Sequence, residues 1–162
     1  MNWTPPAPTA VPAPPIPPIR DINSCANVND IQPLHLHLDW SIDWDAKCIY
    51  GTVTHELEVQ KDGTAHATFD TSYLDIRQVQ VDGARAEYQL EARRGPLGEP
   101  LRIHVGERKA GDRVKVAIDY ATTPKCTALG WLSASQTRAK KTPFLYSQCQ
   151  AIHGRSLVPC MD

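Results

Sequence analysis

The sequence lacks most of the features that would give an immediate answer. It has no surplus of either charge, because 17 Lys and Arg stand against 18 Asp and Glu for a formal net charge of −1. A chain so balanced has no electrostatic reason to bind a polyanion or an anionic membrane, and nucleic acid is not an expected partner. No uninterrupted apolar run approaches the length needed to cross a bilayer, and the N-terminus lacks the apolar stretch of a secretory signal. Cysteine is sparse, and Cys25, Cys48, Cys126, Cys149 and Cys160 are odd in number and scattered. Together these absences predict reduced thiols in a soluble, cytoplasmic protein rather than a disulfide framework. Helical periodicity of useful length and internal repeats are missing too. At 162 residues the chain holds one ordinary domain with a core, and a tail.

What is present falls into two textures. The opening "MNWTPPAPTAVPAPPIPPIRD" packs eight prolines into 21 residues, which removes backbone donors and leaves little that could bury an apolar face. Residues 1–24 are therefore expected to be an extended, disordered leader. From Leu34 onward short alternating runs are separated by turn residues. "LHLHLDWSIDW" sets Leu34, Leu36 and Leu38 on one side and His35, His37 and Asp39 on the other, the period of a half-buried strand. "CIYGTVTHELEVQ" alternates likewise through Ile49, Gly51, Val53, His55, Leu57 and Val59. "KDG" is a turn before "TAHATFD", and Asp82-Gly83 is a hairpin signal after Ile76, Val79 and Val81. "GPLGEP" reads as loop, "LRIHV" as strand, "KAGDR" as turn. "VKVAIDYATTP" is a strand with Val114, Val116, Ile118 and Tyr120 inward. Strands joined by turns instead of helical crossovers predict an all-β fold, an antiparallel sandwich or saddle.

Three groups of residues invite a chemical reading. "HELEV" at 55–59 begins like the zinc motif H-E-x-x-H, but Val59 stands where the second ligand is needed. On a strand, residues four apart would also lie roughly 13 Å from each other. A charge on an exposed strand face beside core Leu57 and Val59 is the plainer reading. His35 and His37 could share an ion, although no third ligand stands at an evident spacing, and solvent-facing histidines explain them as well. Cys149, His153 and Cys160 raise a thiolate–imidazole pair or part of a soft metal site. Their spacing is not that of a zinc finger or ribbon, and a buried structural thiol accounts for Cys149.

The tail, "PFLYSQCQAIHGRSLVPCMD", resembles the segment that ends the central part of the N-terminal β-domain in zinc aminopeptidases of the leukotriene A(4) hydrolase type, a branch of the M1 metallopeptidases. Upstream, "HLHLDWSIDW", "GTVTHELEV", "FDTSYLDIRQVQVDG" and "IDYATTPKCTALGWLSASQT" follow that domain's order of strands and turns. The resemblance covers residues 25–162, and it implies a saddle-like β-sandwich there, incomplete at its C-terminal end. It further implies that Gln148, Cys149 and Gln150 line a substrate cleft. Gln150 would help to hold a peptide's free N-terminus, and Gln148 would be a polar neighbour in the same wall. An amide oxygen can accept from an ammonium group while its NH2 donates to a carbonyl, so such a residue orients substrate without moving protons. Arg155, Pro159, Cys160 and Asp162 match a run expected to be structural, while Gly154 departs from the cysteine common in the family.

The catalytic elements of that family are not in this sequence: G-x-M-E-N, H-E-x-x-H with its distant Glu, and the Tyr that stabilises an oxyanion. Zinc hydrolysis needs a metal with an open position and a base to activate water. The expectation is a non-catalytic piece of a zinc aminopeptidase, with no catalytic residue and no metal ligand of its own. Zinc, and an uncertain epoxide hydrolase activity, would belong to the longer enzyme. The rival expectation is a stand-alone β-sandwich interaction module, and a thiol enzyme built on Cys149 and His153 comes last. Missing closing strands would leave an unpaired sheet edge and favour self-association.

Overall fold

The computed structural model describes residues 21–161. The proline-rich run up to residue 20, and Asp162, lie outside the described residues. Ten strands form in chain order: β1 (Ile31–Asp43), β2 (Cys48–Val59), β3 (Thr64–Phe69), β4 (Leu74–Val81), β5 (Ala84–Arg85), β6 (Tyr88–Leu90), β7 (Leu101–Arg108), β8 (Arg113–Thr122), β9 (Leu129–Leu132) and β10 (Phe144–Ser147). Helical structure among the described residues is limited to three short 3-10 turns, one of them, Gly95–Leu97, within the segment expected to be loop. The turn signals are met where they were expected. Asp82 and Gly83 take φ of +51° and +83° between β4 and β5, the left-handed pair that a two-residue hairpin requires.

A five-stranded sheet in the order β1-β2-β8-β4-β5 packs on a three-stranded sheet in the order β3-β7-β6, and β9 and β10 form a separate ribbon. Every pairing is antiparallel. Alternation along the strands decides what lies between the two larger sheets. Val53, Leu57, Val116, Ile118 and Tyr120 face Ala67, Phe69, Leu101 and Ile103 in one cluster of fully buried side chains. At about 25 cal/mol per Å² of apolar area removed from water, such a cluster is the main favourable contribution to stability. The fold is therefore the all-β, antiparallel sandwich that the patterning predicts.

The reading of the first strand is corrected by the structure. The first strand starts at Ile31 rather than Leu34, and a bulge between Pro33 and His35 takes up Leu34. Its leucines also face the core side of the sheet without being covered: Leu34, Leu36 and Leu38 are 49%, 38% and 38% exposed. Among the described residues nothing covers the middle of this strand, although Ile31 at its start is fully buried and Trp40 packs against the core. In "HELEV", Glu56 is exposed as expected of a strand charge, and His55, which alternates with Val53, Leu57 and Val59, is 1% exposed like them, its ring 4.7 Å from that of Phe69.

The His55 Nε2 donates to the Pro159 carbonyl at 3.0 Å, whereas Nδ1 has no partner among the described residues. Burial pushes its pKa down from 6.5 to about 4, opposed in part by the hydrogen bond to Pro159. The folded state thus holds His55 neutral where an unfolded chain would protonate it. Stability should be full above pH 6.5 and fall by about 3 kcal/mol as pH drops toward 4, because only the unfolded state takes up the proton in that window. Urea midpoints between pH 7.5 and 4.5 check this, and the slope attributable to this group should vanish in His55→Leu.

Gly51 lies on β2 with its Cα facing the β1 backbone. It holds φ +146°, and a Cβ added there would lie 2.1 Å from the Asp39 carbonyl oxygen, a backbone atom that cannot swing away. Gly63 also has positive φ but nothing within 4 Å of such a Cβ. Gly51→Ala should therefore cost about 3 kcal/mol or more, and Gly63→Ala only about 1 kcal/mol, measured by denaturant unfolding.

Candidate functional site

Residues 144–161 leave the ribbon, turn back over the sandwich and end against the core. Phe144–Ser147 pairs with Leu129–Leu132, and the next amide, Gln148 N–H, donates to Ala128 O at 2.8 Å. Gln148 and Gln150 are exposed and Cys149 is half-buried between them. The Gln150–Ala151 peptide is cis. A 3-10 turn, His153–Ser156, comes next and is closed by the Leu157 N–H on Gly154 O. The three residues expected to line a cleft are thus contiguous on one short connection, the two glutamines open to solvent.

Their placement depends on residues 155–160, the end of the tail. Arg155 is 1% exposed and lies 3.6 Å from the carboxylate of Asp70, itself fully buried. Its Nη1 and Nη2 donate to Leu97 O and Asn23 O at 2.9 and 2.8 Å. The same Asp70 carboxylate accepts from Cys25 N–H at 2.8 Å and from the Ser24 hydroxyl at 2.5 Å. Asp70 and Cys160 exchange two backbone bonds, 2.7 and 3.1 Å, and Ser72 N–H donates to Arg155 O. One buried ion pair therefore fastens the end of β3, the segment 23–25 and the tail at a single point. Ser156 fixes the turn from the other side: its hydroxyl accepts from Thr127 and Ala128 N–H, both at 3.1 Å, and donates to His153 O at 2.8 Å. Tyr120 OH reaches Leu157 O at 3.0 Å, and burial pushes that phenol up.

Sequence reading identified Arg155, Pro159 and Cys160 as structural and missed Asp70, Ser24 and Ser156. A single acid after a strand carries no pattern that distinguishes a buried partner from a surface charge; only the chain fold brings Asp70 to Arg155.

The competing chemistry finds little support in this geometry. His153 stands with Nδ1 2.7 Å from the Thr127 hydroxyl, and its tie to Cys149 is a backbone bond, His153 N–H to Cys149 O at 2.8 Å. Cys25 is no activated thiolate, since burial, and then the Asp70 carboxylate, push its thiol up. A cavity of about 400 Å³ lies beside Cys25, with Lys61, Arg94 and Arg102 mixed with Asp30 and Glu91 in its wall, and it touches none of the three tail residues. A Cβ at Gly154 would stand 3.8 Å from that of Cys149, an ordinary contact, so crowding does not demand a glycine there.

Among the described residues no three of His, Cys, Asp or Glu are grouped so as to hold a metal ion, and the buried His55 spends its Nε2 on a carbonyl.

The fastening at Asp70 has a measurable consequence. Asp70→Ala strands a buried guanidinium and should cost about 3–5 kcal/mol. It should also loosen residues 148–160, seen as faster amide exchange there than in β2 and β8.

Comparison with known proteins places these features. Residues 32–162 match the family described as the peptidase M1 N-terminal domain. "Leucine aminopeptidase 2" of Chaetomium globosum is 43% identical over 146 residues, 88% of this chain and 24% of that protein. The "Leukotriene A-4 hydrolase homolog" of Botryotinia fuckeliana is 42% identical over 146 residues, 88% of this chain and 23% of its own length. Native leukotriene A4 hydrolase from Saccharomyces cerevisiae superposes with a TM-score of 0.82 at 38% identity, over 92% of this chain and 24% of that one. An M1 zinc metallopeptidase from Deinococcus radiodurans shares the fold at 14% identity and a TM-score of 0.59. The chain spans about a quarter of the length of the relatives it matches. By sequence and by fold, the chain belongs to the peptidase M1 N-terminal domain family.

Proposed function

We propose that residues 25–162 form a domain that supplies one wall of the substrate cleft in a longer, cytoplasmic, zinc-dependent aminopeptidase, and that this chain carries no bond-breaking chemistry of its own. The observation that carries the reading is the tail: Gln148 and Gln150 stand exposed on a connection held by a buried ion pair and a serine hub. Amides on a backbone held in this way suit a subsite that accepts a peptide's ammonium group, since the connection that carries them need not be ordered at the moment of binding. Gln150 takes the ammonium, Gln148 and Cys149 complete the wall, and zinc with its general base comes from polypeptide outside this sequence. The relatives' names, an aminopeptidase and a leukotriene hydrolase homolog, agree with that role. Among the described residues no helix is long and apolar enough to cross a membrane.

Two measurements test the two halves of the proposal. The purified chain, given zinc and an aminoacyl chromogenic substrate, should show no turnover above the blank, and hydrolysis abolished by a chelator would overturn the non-catalytic half. For the wall, residues 32–162 replace the matching segment of the Saccharomyces enzyme. Gln150→Ala in that chimera should raise KM about tenfold or more, the loss of one hydrogen bond to a charged group. An unchanged KM would remove Gln150 from the subsite.

A further inference from the structure

His153 closes the turn that carries Gln150. Its N–H donates to Cys149 O at 2.8 Å, enclosing Gln150, Ala151 and Ile152. Its ring reaches across to the connection between β8 and β9, where Nδ1 stands 2.7 Å from the Thr127 hydroxyl. The same connection takes the other end of the stretch, since Gln148 N–H donates to Ala128 O at 2.8 Å. Ala128 is only 2% exposed, so both ends of the turn are tied to residues anchored at the core.

Counting protons around Ser156 decides which way the bond between Thr127 and His153 runs. A hydroxyl has one proton to give and two lone pairs to fill. Ser156 gives its proton to His153 O at 2.8 Å and fills both lone pairs with the Thr127 and Ala128 amides, each at 3.1 Å. Cys126 sends its S–H to Ser156 O at 3.0 Å. Thr127 Oγ1, 3.2 Å from Ser156 Oγ, therefore finds there neither a donor nor a vacant acceptor. Its proton has one acceptor left among the described residues, Nδ1 of His153. The imidazole is thus neutral, with its own proton on Nε2.

We infer that Thr127 and His153 are a positioning pair for the ammonium subsite: the Thr127 hydroxyl holds the imidazole, and the imidazole holds the turn that presents Gln150. The inference rests on the cleft-wall reading proposed above. His153 contributes two ties of different kinds, a backbone bond to Cys149 and a side-chain bond to Thr127. Losing the second frees the ring, and with it the residue that closes the turn. Ser156 still holds His153 O, which preserves the fold and confines the effect to the turn. Both residues of the pair are exposed, where a single neutral hydrogen bond contributes little to folding. Its consequence falls on binding, because a turn left free to move must be ordered by the substrate.

On the full chain, nitrogen chemical shifts of the His153 ring in alkaline buffer should show Nδ1 as a hydrogen-bonded acceptor and the proton on Nε2. A proton on Nδ1 would overturn the inference. In the chimera, Thr127→Val and His153→Phe should each raise KM about three- to tenfold at unchanged kcat, the loss of one neutral hydrogen bond. Combining the two should be no worse than the poorer single variant, because both remove the same bond. Thr127→Ser keeps the donor, and His153→Asn sets an amide oxygen where Nδ1 stood, so each should hold KM close to that of the unsubstituted chimera. Urea midpoints of the same variants in the full chain should stay near the parent value. If Gln150→Ala raises KM and Thr127→Val does not, the pair falls while the wall stands; if neither does, both fall. A rise in KM as large for Thr127→Ser and His153→Asn also overturns the pair, since packing rather than the bond would then be at work.

Discussion

The contact between Asp70 and Arg155 organises this molecule. Neither side chain reaches water, so each would be intolerable in the core without the other. The pair is supported on both sides, because the two terminal nitrogens of the guanidinium also donate to the Leu97 and Asn23 carbonyls and the carboxylate also accepts from Cys25 N–H and the Ser24 hydroxyl. Four stretches of chain far apart in sequence meet there. A hydrophobic contact at the same place would tolerate sliding; a buried fork of hydrogen bonds accepts one geometry.

The same fastening bears on the proposed role of the exposed glutamines. A mobile tail would have to be ordered by its ligand, at a cost in binding free energy, whereas the backbone that carries Gln148 and Gln150 runs between a bond to Ala128 and the 3-10 turn held by Ser156. Rigid presentation of polar groups by one domain and chemistry by another divides the labour of a cleft in a way that a β-sandwich can support. The sheet supplies stiffness, and the connections that leave it supply the contacts.

The five-stranded sheet is wider than the layer that covers it. Where the three-stranded sheet and the tail reach, the inward residues are fully buried; at β1, the same alternation delivers leucines to solvent. The same tail that closes the core at Tyr120 and His55 stops short of β1.

Much of this was legible along the chain. Period-two alternation in "VKVAIDY" and "CIYGTVTHELEV" determined which residues face inward, because side chains of a strand must alternate and apolar ones must leave water. Asp82-Gly83 determined a tight turn, and the unusual composition of the tail carried the resemblance to the family that the comparisons then showed. Burial itself was not legible for Leu34, Leu36 and Leu38, whose pattern equals that of β8, because being covered depends on how far the opposing sheet extends. Nor could the sequence show that His55 lies in the core against Pro159 or that Asp70 holds Arg155. Those are contacts between residues separated by 104 and 85 positions, and a local pattern carries no information about partners that only the folded chain brings together.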